Sequence, residues 1–279
     1  MGEDSVTATV NYIARTVDKP YVHTAALTGG LPRYFADFES HDVTIRNARP
    51  NTGRLSLDRE GFALVRHEST VADFYDDTSV KSHYYPEVEA LLRTTTGARE
   101  VYIFDHTRRV DDETVRGTAR EPAGRIHNDY TEKSAPQRVR DLLGTEQAAI
   151  KTARPYAQIN VWRPIRGPVQ RSPLALLDAS SLADGDLVAT DQIYPDRTGE
   201  IYHLAWNPQH RWWYFPSMET NEVVLIKGYD SRLDGRARFT PHTAFEDPET
   251  PPRARPRESI EIRAFVFFSD IAPEAAGTP

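Results

Sequence analysis

The sequence predicts a mainly β fold, either a β-sandwich or a jelly roll with helices packed on one side. Seven short apolar or alternating segments are typical of strands: "REVYIFDHT", "AQINVWRPI", "SPLALLDAS", "EIYHLAWN", "RWWYFPS", "EVVLIKGYD" and "SIEIRAFVFF". Proline, at 20 residues, outnumbers glycine, at 15, and its residues cluster in connectors such as "RPIRGPVQRSP" and "EDPETPPRARP". Because proline removes a backbone donor and breaks helices, this distribution favours short strands joined by ordered loops.

Two helices are predicted. "SVKSHYYPEVEALLRTTTG" has apolar residues at helical spacing, with Pro86 at a first turn and Gly97 near the stop. The second helix is expected over Ala135 to Leu143. The first hundred residues otherwise indicate strands and loops. At 279 residues the chain fits one large β-rich domain or two small ones. We expect a single domain over 1–279, with an N-terminal part at 1–100 and a jelly-roll core at 101–270.

Composition restricts the function classes. Hydrophobic residues make up 39 % and charged residues 27 %, as in ordinary soluble globular proteins. No apolar run approaches the roughly 18 to 20 residues that cross a bilayer, and "MGEDSVTATV" lacks the basic start and apolar core of a secretory signal. We therefore expect a cytoplasmic protein with no membrane partner. The pattern makes no prediction of oligomeric state.

The ionisable residues narrow the ligand class further. The chain has no cysteine, which excludes disulfides, zinc-thiolate sites, iron–sulfur clusters and cysteine nucleophiles. Any metal must therefore be held by His, Asp or Glu. The net charge of -7 argues against a nucleic-acid partner, because phosphate contacts need a basic face. A small molecule is the expected partner.

The first candidate site lies in "GRIHNDYTEKSAPQRVRDLL". If residues 125–130 form a strand, His127 and Asp129 point to the same face. A neutral imidazole and a carboxylate on one face are two of the three ligands of the facial triad that binds ferrous iron and leaves three coordination positions open. Taken alone, the pair fits surface hydrogen bonding or a capping Asp equally well.

A third ligand must come from a distant segment, and three histidines lie downstream. His203, in "EIYHLAWNP", fits packing within a strand, and His210 follows the turn sequence "NPQ", so we expect it to be exposed. His242 is followed 15 residues later by "RESIEIRAFVFF". This combination favours His242.

In "RESIEIRAFVFF", Arg257 and Ser259 alternate onto one face, while Ile260 and Ile262 alternate onto the other. A dicarboxylate cosubstrate that chelates iron needs a buried cation at its far end. Arg257 can bind that carboxylate bidentately while Ser259 donates a hydrogen bond to it. The alternative is a solvent-facing pair on an edge strand.

The order of these motifs resembles the signature of the iron(II)/2-oxoglutarate-dependent oxygenases: His127-x-Asp129, then His242, then Arg257-x-Ser259. The core of that family is a double-stranded β-helix, also called a cupin-like jelly roll. Four blocks are similar to the branch with gibberellin desaturase-like proteins, fungal AsaB-like hydroxylase/desaturases and the cephem methoxylase component. These blocks are "HNDYTEKSAPQRVRDLL", "INVWRPIRGPVQRSPLALLDA", "EVVLIKGYDSRLDGRARFTPHTAFEDP" and "PRESIEIRAFVFF". The resemblance covers most of the chain from about Val101 onward.

The resemblance implies that His127, Asp129 and His242 bind Fe(II), and that Arg257 with Ser259 anchors the distal carboxylate of 2-oxoglutarate. With O2 as the second cosubstrate, the enzyme would hydroxylate or desaturate a natural-product or amino acid-like small molecule, or carry out a related C–H oxidation. Succinate and CO2 would be the coproducts. The carboxylate of Asp129 disfavours halogenation, because halogenases of this superfamily carry a small residue there.

A second arginine competes for the cosubstrate. The connector "EDPETPPRARP" lengthens the gap between His242 and Arg257, and Arg263 lies on the same predicted strand face. Glu261 between them would repel an anion unless Arg263 pairs with it.

The expected substrate-binding residues are Tyr130, Asn160, Trp162 and Arg263, although Trp162 fits a core position equally well. Two other functions remain open. One is a cupin-like metalloenzyme that uses no 2-oxo acid, which the Arg257-x-Ser259 pair argues against. The other is a non-catalytic jelly-roll binding protein with structural histidines.

Overall fold

In the computed structural model, which describes residues 4–16, 18–114, 117 and 119–269, two β-sheets form the framework. The strands are β1 (Ser5–Ile13), β2 (Tyr21–His23), β3 (Arg33–Phe35), β4 (Phe38–Asn47), β5 (Phe62–Arg66), β6 (Glu100–Val110), β7 (His127–Asn128), β8 (Tyr156–Pro164), β9 (Leu174–Leu177), β10 (Leu187–Ile193), β11 (Thr198–Leu204), β12 (Trp212–Tyr214), β13 (Glu222–Asp230), β14 (His242–Ala244) and β15 (Glu258–Phe267). The large sheet has the order β1-β4-β12-β9-β14-β7-β11-β10-β2-β3, and the small sheet has the order β5-β13-β8-β15-β6. This mainly β architecture confirms the predicted fold class.

The helices are α1 (Ala25–Thr28), α2 (Asp77–Ser79), α3 (Tyr85–Thr96), α4 (Ser134–Leu143) and α5 (Thr145–Thr152), with a π-helical turn at Val80–Tyr84. The sequence predicted α3 and α4. It did not predict α5, which follows α4 after Gly144 alone. As expected, Gly97 ends α3, in the left-handed conformation at φ 70°. No helix in the described part of the chain has the length and apolar character needed to cross a membrane.

The small sheet has two different faces. On the outer face, Ile260 and Ile262 of β15 pack in one core cluster with Val88 and Leu92 of α3. Because side chains alternate along a strand, the residues between and beside them point inward, toward the large sheet. The functional candidates of β15 therefore lie between the two sheets.

Helices α4 and α5 pack in a different place from α3. Ala135 and Val139 of α4 share a core cluster with Phe265 and Phe267, on the inward face of β15. The helices therefore flank the sheets at two positions, whereas the sequence led us to expect them on one side. Helix α4 is amphipathic, and its apolar face packs on the aromatic side chains at the C-terminal end of β15.

The first hundred residues extend the same two sheets. β1 and β4 lie at one edge of the large sheet and β2 and β3 at the other, while β5 pairs with β13 at the edge of the small sheet. β4 joins the large sheet through parallel pairing with β12, and β2 through parallel pairing with β10.

Candidate active site

Three side chains converge between the sheets. β7 is only two residues long, so the strand expected over 125–130 is much shorter than predicted. His127 in β7 is the register partner of His242 in β14, and Asp129 follows β7 directly. Ligand atoms of all three residues lie within 4.8 Å of one another, and the two imidazole centroids are 4.7 Å apart. These residues could hold one metal ion.

Both imidazoles are oriented by backbone carbonyls. His127 Nδ1 lies 2.9 Å from the carbonyl oxygen of Arg125, and His242 Nδ1 lies 3.0 Å from that of Thr240. A carbonyl only accepts, so Nδ1 carries the proton in each ring and the lone pair of Nε2 is left for a metal. Burial, together with the neighbouring His242, lowers the pKa of His127 to about 4. The neutral, ligating form is therefore the stable one at neutral pH.

The carboxylate of Asp129 is held from one side. Its Oδ2 accepts hydrogen bonds from Asn160 Nδ2 at 2.9 Å and from Arg263 Nε at 3.0 Å. Its Oδ1 lies 3.5 Å from His127 Nε2 and faces the histidines. Burial alone would raise the pKa of Asp129, but the charge of Arg263 outweighs it and leaves the pKa well below its usual range. The carboxylate is therefore ionised.

Arg263 is occupied by protein acceptors. Besides Asp129, it donates to Glu261 Oε1 at 2.9 Å, to Thr107 Oγ1 at 2.9 Å and to Asp105 Oδ1 at 3.2 Å. The pairing with Arg263 neutralises Glu261, the carboxylate that the sequence placed beside the expected cosubstrate anchor. Arg263 also borders a large cavity, but its donors already bind the protein acceptors named above.

Arg257 is different, because one of its buried donors, Nε, has no partner among the residues that the structure describes. Arg257 Nε and Ser259 Oγ are both buried, and neither has a hydrogen-bond partner within the described residues. Arg257 Nη1 donates to the carbonyl of Ser172, and the guanidinium lies 5.6 Å from the centroid of the Trp162 ring. Burial lowers the pKa of Arg257 to about 9. Unsatisfied buried donors are costly unless a ligand accepts their hydrogen bonds, so this pair fits a carboxylate.

A narrow pocket joins the two groups. His127, His242, Trp162 and Arg257 line it together with Arg109 and Glu261. Its volume is about 10 Å³, room for about one water molecule. A dicarboxylate can enter only if these side chains move apart. The pocket thus combines metal-binding imidazoles with a buried guanidinium, a donor set that fits 2-oxoglutarate.

A large cavity of about 630 Å³ opens on the other side of the triad. His127, Asp129, Tyr130 and Arg263 lie on its wall, and α4 contributes further residues. Of the four expected substrate-binding residues, Tyr130 and Arg263 therefore border this cavity. The other two have different surroundings: Asn160 is fully buried against Asp129, and Trp162 lines the narrow pocket instead.

Asn128 is a site residue that sequence reasoning missed. Asn128 lies between His127 and Asp129 in the sequence, and its side chain is fully buried. Its Nδ2 donates to the carbonyls of Tyr130 and Gly228, at 2.7 and 2.8 Å, and its Oδ1 accepts from the backbone N–H of Thr240 at 2.9 Å. Asn128 therefore links the segment carrying His127 to the segment leading into His242. No local sequence pattern predicts this role, because every partner of Asn128 is a backbone group and two of the three lie about a hundred residues away in the chain.

The two other downstream histidines lie elsewhere. His203 is buried in β11 with Nδ1 2.9 Å from Thr190 Oγ1, as expected for a packed strand residue. The expectation that His210 is exposed is wrong. Its side chain is 1 % exposed, stacks on Tyr12 and places Nε2 3.1 Å from Asp186 Oδ2. The turn brings the imidazole inward, where the carboxylate compensates for burial.

Comparison with known proteins identifies the family. A family model described as "Oxidoreductase/YMDC permease-like domain" matches residues 10–267. The hydroxylase/desaturase efuI of Hormonema carpetanum is 33 % identical over 95 % of this chain and 96 % of its own length. The Fe(II)/2-oxoglutarate-dependent dioxygenase nvfI of Aspergillus novofumigatus is 31 % identical over 91 % of this chain and 92 % of its own length. The chain belongs to the Fe(II)/2-oxoglutarate-dependent oxygenases.

The solved structures agree. This oxygenase matches a structure of the iron and alpha-ketoglutarate-dependent endoperoxidase NvfI with a TM-score of 0.86 and 26 % identity, over 96 % of this chain and 100 % of that one. The match covers nearly the whole chain, which confirms the predicted jelly-roll fold. The oxygenase uses Fe(II), 2-oxoglutarate and O2 to oxidise a small-molecule substrate. These relatives support neither a cupin-like enzyme without 2-oxo acid nor a non-catalytic binding protein.

Proposed function

We propose that His127, Asp129 and His242 bind the Fe(II) of this oxygenase, and that Arg257 with Ser259 binds the distal carboxylate of 2-oxoglutarate. One observation carries the proposal. His127, His242 and Arg257 line the same narrow pocket. Arg257 Nε and the neighbouring Ser259 Oγ are buried donors with no hydrogen-bond partner among the residues that the structure describes. A dicarboxylate that chelates the metal would satisfy both donors.

The chemistry follows from the ligand set. Bound Fe(II), with 2-oxoglutarate and O2, supplies oxidative decarboxylation to succinate and CO2, coupled to oxidation of a substrate C–H bond. The imidazoles of His127 and His242 and the carboxylate of Asp129 would hold the metal, a ligand set that suits an Fe(II) ion that also binds cosubstrates. Asn160 and Arg263 hold Asp129 Oδ2, so that Oδ1 points toward the histidines.

Hydroxylation or desaturation of a natural-product or amino acid-like molecule is the reaction we propose. Relatives named hydroxylase/desaturase support these two outcomes, and the name endoperoxidase of NvfI extends the range to oxygen insertion. We propose that the substrate occupies the large cavity, where Tyr130 and Arg263 border it beside Asp129. A contact of Asn160 or Trp162 with substrate stays a prediction, as do the cytoplasmic location and the lack of nucleic-acid and membrane partners.

The experiment is an anaerobic titration of the apo-protein with Fe(II) and 2-oxoglutarate, following the weak visible charge-transfer band of the chelate. We expect the band in the wild type. In His127→Ala it should be absent, and in Arg257→Ala it should need about 10- to 100-fold more 2-oxoglutarate, because a charge-assisted pair contributes about 1.5 to 3 kcal/mol.

Arg255→Ala is the matched control. Arg255 is exposed and lies two residues before Arg257, so its loss should leave the titration unchanged. A wild-type protein that binds Fe(II) without the band would contradict the cosubstrate site. Loss of affinity for 2-oxoglutarate in Arg263→Gln but not in Arg257→Ala would move the anchor to Arg263.

A further inference from the structure

The wall of the large cavity has an excess of positive charge. Seven arginine and lysine side chains line it, against five carboxylates, in a chain whose net charge is -7. A cavity lined by one sign of charge attracts ligands of the opposite sign. The excess can attract an anion only if the cations of the wall are not already paired with carboxylates. The partners of these charged residues therefore have to be considered first.

Most of the carboxylates on the wall are already paired. Asp105 and Asp129 accept hydrogen bonds from Arg263. Asp191 and Glu200 both pair with Lys19, which lies outside the cavity wall. These four carboxylates therefore do not neutralise the other cations of the wall.

Arg138 of α4 is a cation of the wall without a carboxylate partner among the described residues. Its guanidinium lies 5.4 Å from the centroid of the Phe104 ring, and Phe104 is in edge contact with Tyr130. The side chain is half-buried, so its charge is less screened than that of an exposed residue. Arg138 is thus fixed near the residue that follows the His-x-Asp pair, with donors free to bind an anion.

The other unpaired cations are placed less well for this task. Four of them are exposed, where pairing with an anion contributes little: Arg120, Lys133, Arg140 and Arg197. Arg109 is half-buried, but it also lines the narrow pocket, where it would meet 2-oxoglutarate.

We infer that the substrate of this oxygenase is an anion, and that Arg138 binds its carboxylate in the large cavity. The inference rests on the proposed function, because it places the substrate on the cavity side of the triad. It names a substrate class, small carboxylic acids, and a specificity-determining residue outside the metal and 2-oxoglutarate sites.

The test uses two aromatic probes of the same shape, 1-naphthoate and its neutral amide, 1-naphthamide. Each is titrated by calorimetry into the anaerobic protein loaded with Fe(II) and 2-oxoglutarate. We expect the wild type to bind the carboxylate about tenfold or more tightly than the amide, the value of one charge-assisted hydrogen bond. In Arg138→Gln this preference should disappear, and in Arg138→Lys part of it should remain.

Arg140→Gln is the matched control, since it removes the same charge from the same helix. Arg140 is exposed and donates to Gln137, so the preference should persist. Equal binding of the two probes, no binding of either, or an unchanged preference in Arg138→Gln would overturn the inference. So would displacement of 2-oxoglutarate by 1-naphthoate, because the anion would then occupy the Arg257 pocket.

The two proposals fail separately. The chelate band in the absence of probe reports on the metal and 2-oxoglutarate sites, and it should be unchanged in Arg138→Gln. If the band never forms in the wild type, the proposed function fails, and calorimetry of the two probes with the protein alone then tests the anion site separately.

Discussion

Arg263 Nε donates to Asp129 Oδ2 at 3.0 Å, and this contact joins the inner face of β15 to the residue that follows β7. The same guanidinium also donates to Glu261, Thr107 and Asp105. Arg263 therefore holds the carboxylate ionised and oriented, which supports our proposal that Arg257 binds the 2-oxoglutarate carboxylate. In that proposal, two arginines on one strand face, six residues apart, have different roles.

Arg263→Gln should weaken Fe(II) binding by about 10- to 100-fold, because groups that orient metal ligands typically contribute this much. At saturating Fe(II), the affinity for 2-oxoglutarate should change much less. Anaerobic titrations with each ligand measure both effects. Arg166→Gln is the control, since Arg166 is exposed and pairs with Glu258 of the same strand at the surface.

Ser259→Ala should separate binding from stability. The buried hydroxyl has no partner among the described residues, so its loss should leave the free energy of unfolding unchanged or slightly higher. The affinity for 2-oxoglutarate should fall by about 3- to 10-fold, the value of one hydrogen bond. Thr240→Val is the contrast: its buried hydroxyl donates to Gly61 O at 2.9 Å, so its loss should cost about 1 to 3 kcal/mol. Equal destabilisation by both variants would show that Ser259 is structural.

Asn128→Ala should destabilise the protein by about 2 to 4 kcal/mol, since it leaves buried backbone groups of Gly228 and Thr240 without their partner. Fe(II) binding should weaken as well, because the link between the two ligand segments is lost. Chemical denaturation and metal titration measure the two effects. Gln137→Ala, at an exposed site on α4, should change neither. Full metal affinity in a destabilised Asn128→Ala would limit Asn128 to a folding role.

Stability should fall at acid pH because of Asp186. Burial alone would raise the pKa of this carboxyl, but hydrogen bonds from the backbone N–H of Ala183 and from Asn207 and His210 outweigh burial and lower it. The unfolded chain, with an Asp pKa of about 3.9, then binds more protons at acid pH than the folded state does. The contribution is thus complete above about pH 5 and is lost as the pH falls through the folded pKa.

Asp186→Asn tests this assignment. It should lower the free energy of unfolding at pH 7 by about 3 kcal/mol and flatten the acid limb of the stability profile, because a buried charge partner is lost. Denaturant titrations between pH 3 and pH 8 measure the profile. Asp184→Asn, two residues away, is the control. An acid limb that is identical in Asp186→Asn and the wild type would assign the pH dependence to other carboxyls.

Sequence alone determined the features that depend on local pattern. Alternation along "ESIEIRAFVFF" placed Ile260 and Ile262 on one face of β15 and Ser259 on the other, because strand periodicity is a property of the backbone. Helix α3 was predicted from its apolar spacing and its glycine stop. The ligand roles of the His-x-Asp pair, His242 and Arg257-x-Ser259 were predicted because the chemistry of metal and carboxylate binding restricts the residue types at each position, and these roles stay predictions.

Only the tertiary structure decided what those residues contact. Whether Arg257 or Arg263 is free to bind an anion depends on Asp105, Thr107 and Asp129, which come from other segments of the chain. The inward turn of His210 and the link through Asn128 likewise depend on contacts with residues from other segments of the chain. Long-range hydrogen bonds join residues more than a hundred positions apart, for example Asn128 and Thr240. Periodicity within one segment carries no information about such a distant partner.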